Sequence, residues 1–170
     1  MVERLALEGW LAVRALAPIG APLDRLGPVN EVLKELDGLL VDLAARYADA
    51  AIRAGLAAAQ EEPDELGVYL AHARDVSRQM GLTGGAARWP LPIDELAGEL
   101  WFEVDRFESA RDAFRTATQV SRGTRGWLGL ARANVRLGDK TAACAAYRMV
   151  PASGLSSAEA REIEAYVRQC

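Results

Sequence analysis

The fold is decided by two consecutive stretches, LPIDELAGELWFEVDRFESARDAFRTATQVSRG (residues 91–123) and TRGWLGLARANVRLGDKTAACAAYRMV (residues 124–150). Offset by 33 residues, Asp105-Arg106-Phe107 meets Gly138-Asp139-Lys140, Ala110 meets Ala143 and Phe114 meets Tyr147. Within each stretch apolar residues recur at helical spacing on both sides of a short polar break, so each predicts a helix, a tight turn and a second helix. Such a hairpin cannot bury its apolar faces alone and stacks on a neighbour.

With these residues the chain resembles the tetratricopeptide repeat (TPR) family, whose hairpin places small residues where its helices cross and large ones in the holes between them. Counted from Leu91, Gly98, Trp101, Ala110, Phe114 and Ala117 fit the family pattern. Counted from Thr124, so do Trp127, Leu130, Ala131, Ala143 and Tyr147. Asp94 stands where an aromatic is usual, Asn134 and Val150 replace an aromatic and an alanine, and the closing proline is missing from both units. An earlier unit counted from Tyr47 puts Ala54, Leu70 and Ala73 at repeat positions, with helices over 47–60 and 64–80, though any alanine-rich amphipathic hairpin would fit as well. The resemblance implies an all-α, right-handed stack of antiparallel hairpins, a TPR-like α-solenoid. Residues 1–90 form extra N-terminal helices including the degenerate repeat at 47–80, residues 91–155 the two repeats, and residues 156–170 a capping helix. Ser156 and Glu159 match a capping box, and Ile163, Tyr166 and Val167 give that last helix one apolar face.

Upstream, Val2–Leu16 reads as a helix, and Pro18, Gly20, Pro22, Gly27 and Pro28 break the chain over Ala17–Pro28. Asn30 is the expected N-cap of a long helical region reaching Gln60, with Gly38 and Gly55 as its weak points. Glu61-Glu62-Pro63-Asp64 closes that region and opens a helix to Met80. The glycines and prolines of Gly81–Pro92 predict a linker anchored by Trp89.

Composition narrows the function. The chain is 51% hydrophobic over 170 residues, enough to bury a core without staples. Lysine occurs only at Lys34 and Lys140, an arginine-for-lysine usage expected of a GC-rich, bacterial genome. Charges at Glu3, Arg4, Glu8 and Arg14 interrupt the N-terminus, so it predicts neither a signal peptide nor a membrane span, and a cytoplasmic location is the default. Cys144 and Cys170 make no disulfide framework or metal cluster, and Cys144 reads as a core-filling residue. A net charge of −4 argues against nucleic-acid binding. Yet residues 101–150 carry nine basic and five acidic side chains against an acidic remainder. Two readings of that imbalance stay open: solvated faces that differ by chance, and a groove tuned to an acidic partner.

The chemistry of a catalyst is not visible. His72 is the single histidine, in ordinary helix context, and Tyr69 stands where a di-iron site needs glutamate. Gly81–Gly85 lacks the Lys-Ser/Thr of a phosphate loop. No cofactor or metal is expected. The resemblance instead implies a non-catalytic protein–protein interaction module, a scaffold or adaptor. Its groove candidates are Glu95, Glu99 and Phe102 on the first unit and Arg125, Leu128, Arg132 and Val135 on the second, all expected to be exposed. Arg125 and Arg132 would meet partner carboxylates, and Phe102, Leu128 and Val135 would add apolar area. The family's carboxylate clamp needs Lys and Asn where Glu95 and Glu99 stand, so chaperone-tail binding is not expected. A helical small-ligand binder or enzyme built on the N-terminal half, and a subunit self-associating through its first 30 residues, are the alternatives.

Overall fold

The computed structural model describes residues 1–16, 23–82, 92–120 and 123–170. Among these residues there is no strand. A 3₁₀ turn at Leu23–Leu26 accompanies the helices α1 (Val2–Arg14), α2 (Gly27–Asp37), α3 (Leu43–Ala59), α4 (Pro63–Leu82), α5 (Ile93–Glu103), α6 (Phe107–Val120), α7 (Thr124–Arg136), α8 (Lys140–Met149) and α9 (Ser157–Val167). None of these helices is long and apolar enough to cross a membrane. The chain divides into two compact units, Met1–Ile93 and Asp94–Cys170. Most of the expected linker, residues 83–91 with Trp89, lies outside the described residues, and so do residues 17–22 of the expected N-terminal break.

In the first unit the single helical region expected over Asn30–Gln60 is two helices. Pro28, expected in the break, stands instead in the first turn of α2, where its missing N–H costs no hydrogen bond, and Asn30 is therefore interior and caps nothing. The chain turns after Asp37, and α3 starts afresh at an N-cap absent from the sequence reading: the Asp42 carboxylate accepts from the Ala44 N–H at 2.7 Å. Gly55 does not interrupt α3. A Cβ there would lie 2.8 Å from Val13 Cγ1, and one on Gly9 would lie 3.0 Å from Val32 Cγ1 and collide with Ile52 Cδ1. The two glycines thus let α1 lie close against α3. That helix is buried nearly all round, with Ala45, Ala48, Ala51, Ile52, Ala54 and Ala58 inaccessible, because α1 and α2 also pack on it and α4 covers it through Leu66, Leu70, Ala73 and Val76.

Three hairpins close on the same turn. At the end of α3, Glu61 takes φ +58°, its N–H donates to Ala58 O at 3.1 Å, and the Glu62 N–H donates to Ala57 O at 2.9 Å. After α5, Asp105 takes φ +57°, donating to Phe102 O, while Arg106 donates to Trp101 O. After α7, Gly138 takes φ +75°, donating to Val135 O, while Asp139 donates to Asn134 O. In each, the N–H of the left-handed residue and that of the residue after it reach back to carbonyls the ended helix leaves open. Numbered from Tyr47, Leu91 and Thr124, the left-handed residue is the fifteenth in every case.

In the second unit α6 packs on α7, α7 on α8 and α8 on α9. Ala110, Phe114, Leu128, Ala131, Ala146 and Tyr147 form its core. The Phe114 ring lies where a Cβ on Gly98 would fall, 2.6 Å away, and where one on Gly129 would collide. Buried Asn134 bonds its own helix, donating to Leu130 O at 2.9 Å. The expectation for the cysteines is corrected in part. Cys144 is buried, as a core-filling residue should be, but it is also disulfide-bonded to Cys170. The turn after Val150 brings the end of α9 back beside the middle of α8, with the two Cα atoms 6.0 Å apart. Nothing in a spacing of 26 residues across two helices announces that return.

Candidate functional site

The first helices of the two hairpins, α5 and α7, together with α9, surround a cavity of about 380 Å³ within the second unit. Glu99 and Phe102 face it from α5, Arg125, Leu128, Gly129 and Arg132 from α7, and Glu159 from α9, while Phe114 reaches it from α6. Helical spacing explains the set: Arg125, Leu128, Gly129 and Arg132 stand at steps of three and four along one face of α7, as Glu99 and Phe102 do on α5. Five of the seven sequence-named residues are therefore brought to one cavity.

The other two are not, and exposure was overestimated for more than one. Glu95 is buried at 6% exposure, one turn before Glu99, and does not line the cavity. Burial pushes its carboxyl above the ordinary range, Arg125 pulling it down and Glu99 adding to the rise. Val135, on α7 beyond Arg132, is exposed but outside the lining. Leu128 lines the cavity as floor, buried at 3% exposure in the core around Phe114 and Tyr147. Phe102 is half-buried: it meets Phe107 edge to face, centroids 5.2 Å apart, and the Arg136 guanidinium sits 4.1 Å above Phe107 while pairing with Asp105 at 3.1 Å.

Both groove arginines have partners within the chain. Arg125 donates to Glu99 Oε1 at 2.9 Å. Arg132 forms a two-pronged pair with Glu162 of α9, at 3.0 and 2.6 Å, and the Tyr147 hydroxyl donates to the same carboxylate at 2.7 Å. Arg132 holds the Glu162 carboxyl below its ordinary range, helped by Tyr147 and opposed by burial. Burial first, and donation to Glu162 second, push the Tyr147 hydroxyl well above its usual value. Glu162 was missed because the sequence reading assigned α9 one apolar face and one polar face. It lies at their border, next to Ile163, one turn from both Glu159 and Tyr166.

Charge follows the same correction. The basic excess of residues 101–150 is a property of that window. The folded unit Asp94–Cys170 adds Asp94, Glu95, Glu99 and the α9 carboxylates, reaching eleven basic and eleven acidic side chains, while Met1–Ile93 carries nine and thirteen. His72 is exposed on α4, distant in sequence from every residue of the cavity.

No family model, curated protein or solved structure matches the chain.

Proposed function

We propose that the chain is a non-catalytic interaction module, a scaffold or adaptor of TPR-like build, that takes a segment of a partner protein into the α5/α7/α9 cavity. The observation that carries this reading is the convergence of Glu99, Phe102, Arg125, Leu128 and Arg132 on one cavity from successive first helices. The common turn at the fifteenth residue of each counted unit supports the repeat reading, the unit from Tyr47 included. Because the cavity joins an apolar floor to a rim of closed ion pairs, the fitting partner inserts an apolar side chain and exchanges its own carboxylate for Glu99 or Glu162. Such an exchange keeps each arginine paired and avoids leaving a desolvated charge alone.

The test starts from the partner recovered with the intact chain. Its affinity is measured by calorimetry for the wild type and for Arg125→Glu. An apolar-floor variant, Phe102→Ala, is measured alongside. About a tenfold or greater loss is expected from each, the usual effect of a residue central to an interface. Unchanged affinity in both variants sinks the groove assignment. A small organic ligand is the second reading, favoured by a cavity volume at the lower end of the small-molecule range. A thermal-shift screen separates the two, because a ligand that binds only the folded state raises the melting temperature.

A further inference from the structure

Unlike α5 to α8, α9 contributes no buried residue. Its attachment can be enumerated. Ile163 and Val167 are half-buried against the core, the Tyr166 ring lies 4.8 Å from that of Tyr147, and Glu162 closes onto Arg132 and Tyr147. The connection from α8 turns at Gly154, φ +79°, and is pinned by Thr124 Oγ1 donating to Ser153 O at 2.8 Å. At the far end stands the Cys144–Cys170 disulfide, with Cys144 buried and Cys170 exposed. A helix bound through one carboxylate, one aromatic contact and two half-buried aliphatic residues is seated as a docked peptide would be, and the disulfide ties its far end to α8.

We propose that α9 is a redox-latched occupant of a helix-docking face formed by Arg132, Tyr147 and the apolar residues beside them, and that reduction frees this face for a partner helix of the same chemistry. That partner is an amphipathic helix presenting a carboxylate flanked by an aliphatic residue at the next position and by an aromatic one turn later, the arrangement of Glu162, Ile163 and Tyr166. Charge complementarity selects it, since Arg132 and the Tyr147 hydroxyl together offer three donors to one carboxylate. The reductant is a dithiol. Its thiolate attacks the sulfur of Cys170, the more exposed residue of the pair, the Cys144–Cys170 bond breaks, and Cys144 leaves as the thiolate. The second thiol of the reductant then displaces Cys170, so the reductant ends as a disulfide and the chain as two thiols. Two electrons and two protons pass to the chain. Because α9 also supplies Glu159 to the cavity wall, its release opens the cavity on that side. Only this last consequence rests on the groove reading above.

The experiment uses the full chain, oxidised, reduced, and as Cys170→Ser, with two measurements. Amide hydrogen exchange is expected to run about tenfold faster over residues 157–167 in the reduced chain and in Cys170→Ser, with α6 and α7 unchanged. The probe for the freed face is a labelled synthetic peptide of residues 156–170 carrying Cys170→Ser. It should bind the reduced chain and Cys170→Ser about tenfold more tightly than the oxidised chain, with binding lost when Arg132→Glu is added or when the peptide carries Glu162→Gln. Exchange over α9 that ignores the redox state overturns the latch. Faster exchange without peptide binding, or binding indifferent to Arg132→Glu, overturns the docking face. The exchange measurement involves no partner, so its failure leaves the groove reading standing, and loss of partner binding by Phe102→Ala is independent of the latch.

Discussion

Gly129 and Gly138 stand in the same hairpin for different reasons, and substitution separates them. Nothing lies within 4 Å of the place a Cβ on Gly138 would take, so only its φ of +75° resists change. Gly138→Ala should cost about 1 kcal/mol, the penalty of a left-handed backbone for a residue with a Cβ. At Gly129 the Phe114 ring already fills that place. Gly129→Ala should cost about 1 to 3 kcal/mol as overpacking, and a smaller ring-site residue such as Phe114→Leu in the same chain should recover part of it. Glu61 gives the converse case: it occupies φ +58° with a side chain, so Glu61→Gly should be neutral or stabilising by up to about 1 kcal/mol. Urea denaturation of each variant measures all three. Gly98 was legible as a small position of the repeat pattern. Gly129 was not, because that pattern points to Ala131 as the small residue of α7, and the path of a ring from α6 is fixed only when three helices meet.

At the level of elements, α9 is where charge and docking are coupled. Glu162 is held below the ordinary carboxylate value by Arg132 and Tyr147. A carboxylate depressed in the folded state adds stability that is complete above its unfolded pKa, about 4.3, and is lost as pH falls through the lower folded value. Acidification below about pH 4 should therefore loosen α9, and Glu162→Gln should reduce that dependence to the part carried by Glu159, whose carboxyl the Ser156 capping box also holds low. Glu95 has the opposite sign: burial raises its pKa, so protonation relieves an unfavourable buried charge on the same side of the scale. The two contributions oppose each other in global stability. Residue-resolved exchange over α9, compared between the wild type and Glu162→Gln, is the measurement that isolates Glu162 from Glu159, and the same acid response in both would show that the Arg132–Glu162 pair contributes nothing to docking. The existence of α9 and its capping box were readable from Ser156 and Glu159, and both arms of that box are present. Its partners were not readable, since Arg132, Tyr147 and Cys144 are separated from it by a turn whose direction no local pattern encodes.

For the whole molecule, the all-helical class and most helices followed from spacing and breakers. The boundary at residue 38 was signalled by Gly38, whereas the start of α2 at Gly27, with Pro28 in its first turn, was misread because proline serves both as breaker and as first-turn residue. The basic excess of residues 101–150 does not carry over to the folded unit for a different reason: it is a sum over a sequence window, and the unit Asp94–Cys170 takes in carboxylates from both sides of that window. With equal numbers of basic and acidic side chains in Asp94–Cys170, long-range steering of a partner is weak. Partner affinity at the groove should change less than about threefold between roughly 0.05 and 0.5 M salt. A steep logarithmic fall with salt would instead mark a polyanion as the partner.

Phe114 belongs to α6, yet its ring lines an open cavity bordered mainly by other helices and lies against both Gly98 and Gly129. One aromatic side chain therefore touches α5, α7 and the cavity at once, and whatever fills the cavity meets a group rooted in α6. A fluorine atom on that ring would register occupancy through its resonance frequency and the rate of its ring flips, and so would serve as a built-in gauge of filling for an occupant that carries no label of its own.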